Sequence, residues 1–215
     1  KGRREISKTE WHGKKTKLLF AYILINKNGI NKSQIFQALF PEGEQSRTAL
    51  HVMVTRLRKA LSSIYNETEI IQFSDDLYRY NSSINYEWDA SRMEYLINEG
   101  KQSSKTEEKY EKFAQALKLY KSHFMSGYEL ENWVFSTQEY YRKLAYTTFE
   151  NVCNYYLEKK SFEALIEISE QFFNIDNCFE KACSYRMQGF SALNQKQEAL
   201  KQYAILEKAM QKTLN

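Results

Sequence analysis

Apolar positions along the chain keep a helical period except in one short interval near residue 75. Between residues 14 and 26, Leu18, Leu19, Tyr22 and Ile25 recur at helical spacing, and Asn28-Gly29 ends the segment. Asn31, with Gln34 three residues on, has the form of a capping box. It predicts a short second helix with Ile35, Phe36 and Leu39 on one side, closed by Phe40-Pro41-Glu42-Gly43. A third helix is predicted over about residues 45–62. There the period changes. Ile70, Ile71 and Phe73 form a β-prone run, Ser74-Asp75-Asp76 reads as a turn, and Leu77-Tyr78-Arg79-Tyr80 as a second run, together a hairpin. Residues 1–11, which carry Lys1, Arg3 and Arg4, include a further short stretch with strand character. From residue 89 onward the pattern is helical throughout. Helices are predicted over 89–99, 107–120, 133–159, 162–173, 179–193 and 197–212, with a polar linker at 101–105.

The predicted order of three helices and a hairpin within about 80 residues is that of a winged helix-turn-helix, in which a β-wing flanks the third helix. The later helices repeat a short signature. Phe113-Ala114-Gln115-Ala116-Leu117 precedes Tyr120, Phe162-Glu163-Ala164-Leu165 precedes Ile168, and Gln197-Glu198-Ala199-Leu200 precedes Tyr203. The second interval is close to the period of tetratricopeptide repeats. There, a small residue lets paired helices approach and a larger apolar residue fills the groove. An ordinary helical bundle rich in Ala-Leu pairs has the same local signature.

The third helix has two unlike sides. At 100° per residue, Leu50, Val54, Leu57 and Leu61 fall within about 60° of one another and form a core stripe. The opposite side carries Thr48, Val52, Thr55, Arg56 and Lys59, with Arg47, His51 and Arg58 on the flank. No acid lies in the segment. A helix that needed only solubility would mix signs, whereas a helix entering the major groove of DNA would present this set. Arg56 suits a guanine edge, Thr48 and Thr55 suit bases or phosphates, and Val52 suits a thymine methyl. Arg58, Lys59 and His51 suit phosphates. A solvated basic face is the other reading of the same residues.

Composition supports a mainly helical fold. One Pro and seven Gly are too few for the turns of a strand-rich protein, while 42% apolar and 15% aromatic residues supply a sizeable core. Three cysteines, Cys153, Cys178 and Cys183, match neither a zinc spacing nor a disulfide framework and read as small buried hydrophobes of a reducing cytoplasm. No apolar run has the length of a membrane span. The net charge of +4 is uneven. Residues 1–80 hold 14 Lys/Arg against 8 Asp/Glu, and residues 81–215 hold 17 against 19. This divides a basic domain, residues 1–88, from a near-neutral one, residues 89–215, with different partners.

These residues resemble a known family. Leu50-His51 with Thr55-Arg56-Leu57-Arg58-Lys59-Ala60-Leu61 resembles the recognition helix of OmpR-type winged-helix regulators. The chain as a whole resembles the SARP-type bacterial transcriptional activators, which join such a winged helix to a helical activator domain with tetratricopeptide-like repeats. Trp11 and the run Lys14-Lys15-Thr16-Lys17-Leu18-Leu19 resemble the family's first helix, Asn31-Lys32-Ser33-Gln34-Ile35 the start of its second, and Leu39-Phe40-Pro41-Glu42 a Leu-Trp-Pro-Glu segment. Tyr78-Arg79-Tyr80-Asn81 resembles the strand leaving the wing and Trp88-Asp89-Ala90 the entry to the activator domain. Phe124-Met125-Ser126-Gly127-Tyr128, Trp133, Asp176 and Glu180 continue the match. Phe40, Met93 and Asn177 depart from the usual Trp, Phe and Pro, and Leu77 stands where Gly often precedes the wing tyrosine.

The resemblance implies a transcription regulator that binds double-stranded DNA at direct repeats. It implies side-by-side protomers, a homodimer formed in some cases only on DNA, and contact with the sigma subunit of RNA polymerase. By position it places Thr48, Val52, Thr55 and Arg56 toward bases. It places Arg47, His51, Arg58, Lys59 and Lys15 toward phosphates, and Gln72, Ser74 and Arg79 in or beside the wing. Many relatives carry an upstream receiver domain. Because Lys1 is not methionine, such a domain is expected to precede this chain.

No cofactor or metal is expected. His12, His51 and His123 lie far apart in sequence, and phosphate-loop, nucleophile-elbow and metal-binding spacings are missing. An enzyme is therefore disfavoured, and so is an RNA-binding module, which would present aromatics on a sheet. The rival is a helical repeat scaffold for protein partners. It accounts for residues 89–215 but not for the basic helix and hairpin of residues 45–80.

Overall fold

The computed structural model describes residues 6–7, 9–40, 47–62, 69–84 and 86–214. The elements are α1 (Lys14–Ile25), β1 (Ile30–Asn31), α2 (Lys32–Leu39), α3 (Arg47–Ser62), β2 (Ile71–Ser74), β3 (Leu77–Tyr80), α4 (Asp89–Gln102), α5 (Thr106–Leu117), α6 (Asn132–Glu158), α7 (Phe162–Ile175), α8 (Glu180–Ala192) and α9 (Lys196–Leu214). The protein is mainly α with a small three-stranded sheet. It divides into two compact units, residues 1–86 with 131–133 and residues 87–130 with 134–215.

In the first unit α1 is central. It touches α2, α3 and β3, and accordingly buries Leu18, Leu19, Ala21, Ile23 and Leu24 rather than a single narrow stripe. Asn26 ends α1 by donating both its backbone N–H and its side-chain amide to Tyr22 O, at 3.3 and 2.8 Å. The predicted capping box forms: Gln34 N donates to Asn31 Oδ1 at 2.9 Å, and Asn31 N to Gln34 Oε1 at 2.8 Å. Four of the eight free amides and carbonyls that a short helix leaves at its ends lie at the N-terminus, so this reciprocal pair matters for an eight-residue element.

The predicted hairpin forms as well. Ser74 is the last residue of β2 and pairs with Leu77, so the connection is the two residues Asp75-Asp76, one shorter than expected. Both adopt left-handed backbone, with φ of 52° and 58°. A two-residue loop with two positive φ values matches the right-handed twist of the strands it joins. Leu77, in the position where glycine was expected, is strand rather than turn. A third strand was not foreseen: β1 pairs antiparallel with β3, giving the order β1-β3-β2. Two residues are too few for an alternating pattern to register.

Two other stretches differ from the reading. Residues 9–11, in the region 1–11 where a short strand was expected, form turns, with Trp11 N donating to Ser7 O at 3.2 Å; residues 1–5 and 8 of that region lie outside the described residues. Lys101 and Gln102, read as linker, complete the last turn of α4. The segment 41–46, with Pro41 and the start expected for the third helix, also lies outside the described residues.

The second unit is all helical. Short connections join α4 to α5, α7 to α8 and α8 to α9 as packed neighbours. Its core is aromatic: Phe149 stacks on Phe172 at 4.4 Å, Tyr120 on Phe172 at 5.8 Å, and Tyr146 on Phe179 at 4.3 Å. Gln171 ties one hairpin to another, its Nε2 donating to the end carbonyls Leu117 O and Tyr120 O at 2.7 and 3.0 Å.

The repeated Ala-Leu signature behaves differently along the array. Leu117 and Tyr120, and Leu165 and Ile168, are buried. In the third copy Ala199 is buried against α8, but Leu200 is 69% exposed and Tyr203 56% exposed. A solenoid unit buries its apolar face only where the next layer covers it.

Candidate nucleic-acid interface

The core of α3 sets the direction of its outer side. Leu50, Val54, Leu57 and Leu61 are buried as the 100° projection requires, joined by Met53 and Ala60, which widen the stripe. Thr48, His51, Thr55, Arg56 and Lys59 are exposed, and Val52 is 42% exposed. Arg47 begins the helix. Among the described residues, neither Arg56 nor Lys59 has a carboxylate partner. Thr55 Oγ1 donates to His51 O at 2.8 Å, so its hydroxyl proton is used within the helix and its lone pairs remain free to accept.

Arg58 has another role than its position in the pattern suggests. Its Nε and Nη2 donate to Ile71 O at 3.2 and 2.8 Å, and Nη2 lies 3.9 Å from Glu69 Oε1. The side chain is half-buried and fastens α3 to the first strand of the hairpin. These bonds use Nε–H and one Nη2–H of the five guanidinium N–H groups. This engagement depends on a strand 13 residues further along, which no helical projection contains.

The hairpin is braced in the same manner. Arg79 Nε donates to Asn28 O at 3.2 Å, and Nη1 to Ser74 Oγ at 3.1 Å and Ser74 O at 3.3 Å, with Asp75 Oδ2 3.8 Å away. Gln72 pairs with Arg79 in register and is half-buried. Of the expected wing residues, Ser74 and Arg79 therefore build the hairpin itself. Phe73, not singled out in the sequence, is exposed on it and packs on Tyr78 at 4.5 Å, with Lys32 Nζ 5.2 Å from its ring centroid.

A groove of about 520 Å³ runs beside α3. It is lined by Thr48, Val52 and Arg56 of α3, by residues 12–16 at the start of α1 and by Phe40. Lys15 Nζ sits 4.0 Å from the Phe40 ring centroid, a cation–π contact that holds the ammonium over the groove. Lys14 and Thr16 also line it. The sequence signal for these two was present: a Gly followed by Lys-Lys-Thr with no acid in the first helical turn. It becomes meaningful only once α1 is seen to start beside α3.

Among the described residues, no three His, Cys, Asp or Glu side chains cluster closely enough to hold a metal ion, and no helix is long and apolar enough to cross a membrane.

Comparison with known proteins bears on residues 88–215, which match the bacterial transcriptional activator domain family. Among solved structures, the fold is similar to that of Mycobacterium tuberculosis EmbR in complex with a low affinity phosphopeptide. The TM-score is 0.65 at 16% sequence identity, over 93% of this chain. The chain spans 60% of that structure's length. No curated protein matches it in sequence. The match to the activator domain covers more than half of the chain and agrees with the helical hairpins found there. This protein belongs to the bacterial transcriptional activator domain family.

Proposed function

We propose that the chain is a sequence-specific regulator of transcription, most simply an activator, that reads double-stranded DNA with α3. One observation carries this reading: the exposed side of α3 combines Thr48, Val52, Thr55, Arg56 and Lys59 without a single acid, on a three-helix support with a hairpin fastened beside it by Arg58. In the major groove Arg56 reads a guanine edge and Val52 meets a thymine methyl. Lys59, His51 and Lys15 hold phosphates. The exposed Phe73 and the hairpin tip face the neighbouring minor groove. This division of labour is the winged-helix mode, and it makes residues 1–88 the DNA-binding domain and residues 89–215 the activator domain. Family membership supports the remaining parts of the proposal. These are direct-repeat sites occupied by paired protomers, contact with the sigma subunit of RNA polymerase through the helical domain, and action in the cytoplasm.

The second reading, a scaffold for protein partners, is favoured by the exposed Leu200, Tyr203 and Ile205 of α9. Fluorescence anisotropy with mixed genomic fragments separates the two. The regulator binds at low salt and loses affinity steeply as salt rises, through counterion release. Selection of bound fragments then returns a direct repeat with a spacing near one helical turn. No binding at low salt would leave the scaffold.

A further inference from the structure

We infer that α9 carries a self-complementary face through which two copies of this chain pair antiparallel, helix against helix, about a two-fold axis midway between Leu200 and Tyr203. At 100° per residue, Lys196, Leu200, Tyr203 and Glu207 fall within about 60° of one another and form one stripe along about three turns of α9. All four are exposed. Among the described residues neither Lys196 nor Glu207 has an ion pair, whereas Glu198 and Lys201 of the same helix pair with each other at 2.6 Å. The stripe is thus apolar at its middle and oppositely charged at its ends. Leu200 and Tyr203 are centred on the same point as Lys196 and Glu207. When the stripe is laid antiparallel on its own copy, Lys196 therefore meets the partner's Glu207 as Leu200 meets the partner's Tyr203. Each contact occurs twice, as a two-fold requires. A parallel pair would instead set lysine on lysine and glutamate on glutamate. Ala204, exposed beside the stripe, leaves room for close approach. The repeat pattern gives the face its reason. In the first copy of the Ala-Leu signature, Tyr120 is buried and stacks on Phe172 of the later helix α7. Among the described residues no later helix does this for Leu200 and Tyr203, and α9 of a second copy supplies that layer. Tyr203 also borders a groove of about 590 Å³ between α8 and α9, lined by Met187, Ala199 and Leu206, so the docked helix lies along its edge. This contact differs from that of protomers on a direct repeat, which stand head to tail and meet through unlike faces. It needs neither DNA nor the regulator reading.

The test is sedimentation velocity of the full chain without DNA. One helix pair is a small interface, below about 1,200 Å², so a weak, reversible monomer–dimer equilibrium is expected between about 5 and 500 µM. Leu200→Asp, on the surface and outside the core, weakens dimerisation about 30-fold or more. Lys196→Glu and Glu207→Lys each weaken it roughly 5- to 20-fold, because each sets two like-charged contacts across the axis. An equimolar mixture of these two variants dimerises at least as well as the unaltered chain, because both contacts in the mixed pair are again of opposite charge. A chain that stays monomeric throughout leaves the face to a different protein and overturns the proposal. A dimer untouched by Leu200→Asp, left unchanged by the charge reversals, or not rescued by mixing them overturns it as well. All of these outcomes leave the regulator reading standing, since its own test is duplex binding.

Discussion

Asp76 holds φ at 58° in the second position of the hairpin tip, a conformation that glycine adopts at no steric cost and aspartate only at some expense. Its neighbour Asp75 earns its place through the ion pair with Arg79, whereas among the described residues no ion pair involves Asp76. Asp76→Gly is therefore expected to stabilise the first unit by about 0.5–1 kcal/mol, read as a higher urea midpoint at unchanged slope. A lowered midpoint would show that the tip is held by something other than backbone geometry. The cysteines make a second residue-scale case. Burial pushes the Cys153 and Cys183 thiols above their ordinary range, so both stay protonated at pH 8, and the thiolate is the nucleophile. Cys153 also contacts Ser169, and Cys183 points its sulfur at Gln202 O. Only Cys178, half-buried near Thr213, is expected to react with a thiol reagent in the native protein. Rapid loss of a second thiol would mean that the helical core opens.

At the scale of elements, α3 and the α7–α8 pair are the informative pieces. If α3 reads bases, Arg56→Ala loses about 1–3 kcal/mol on the preferred site and blurs sequence choice, while Lys59→Ala weakens all sequences alike. Competition binding against mutated sites distinguishes these outcomes, and equal, uniform losses would erase the division between base and phosphate contacts. The α7–α8 pair depends on Gly189. A Cβ built there would lie 2.6 Å from Ile166 Cγ1 and 3.3 Å from Phe162 O, so the helices approach as closely as their backbones permit. Gly189→Val is expected to destabilise the second unit by about 1–3 kcal/mol, seen as a lower thermal midpoint. An unchanged midpoint would mean that α8 shifts freely on α7. The Ala-Leu signature marked these helices in the sequence. It did not reveal that glycine sets the spacing of this pair, because closeness between helices is a property of two segments and a pattern belongs to one.

For the whole molecule, charge separates the roles. The excess of basic residues lies in residues 1–80, and the remainder holds slightly more acid than base. Binding to duplex by counterion release therefore belongs to the first part. A fragment of residues 89–215 is expected to show no duplex binding where the full chain binds, measured by anisotropy at low salt; nanomolar affinity in that fragment would contradict it.

Local rules sufficed for much of the protein. Helical period, the Asn31–Gln34 capping box, the buried stripe of α3 and the hairpin all depend on residues within a few positions of one another, so the chain alone determined them. Tertiary structure decided the rest. It brought the strand β1 beside β3, turned Arg58 to Ile71 O, set Arg79 across to Asn28 O, and placed Thr16 beside the outer side of α3. Each of these joins groups 13 or more residues apart. Their free energy comes from satisfying donors and acceptors in places that exist only once the helices have packed.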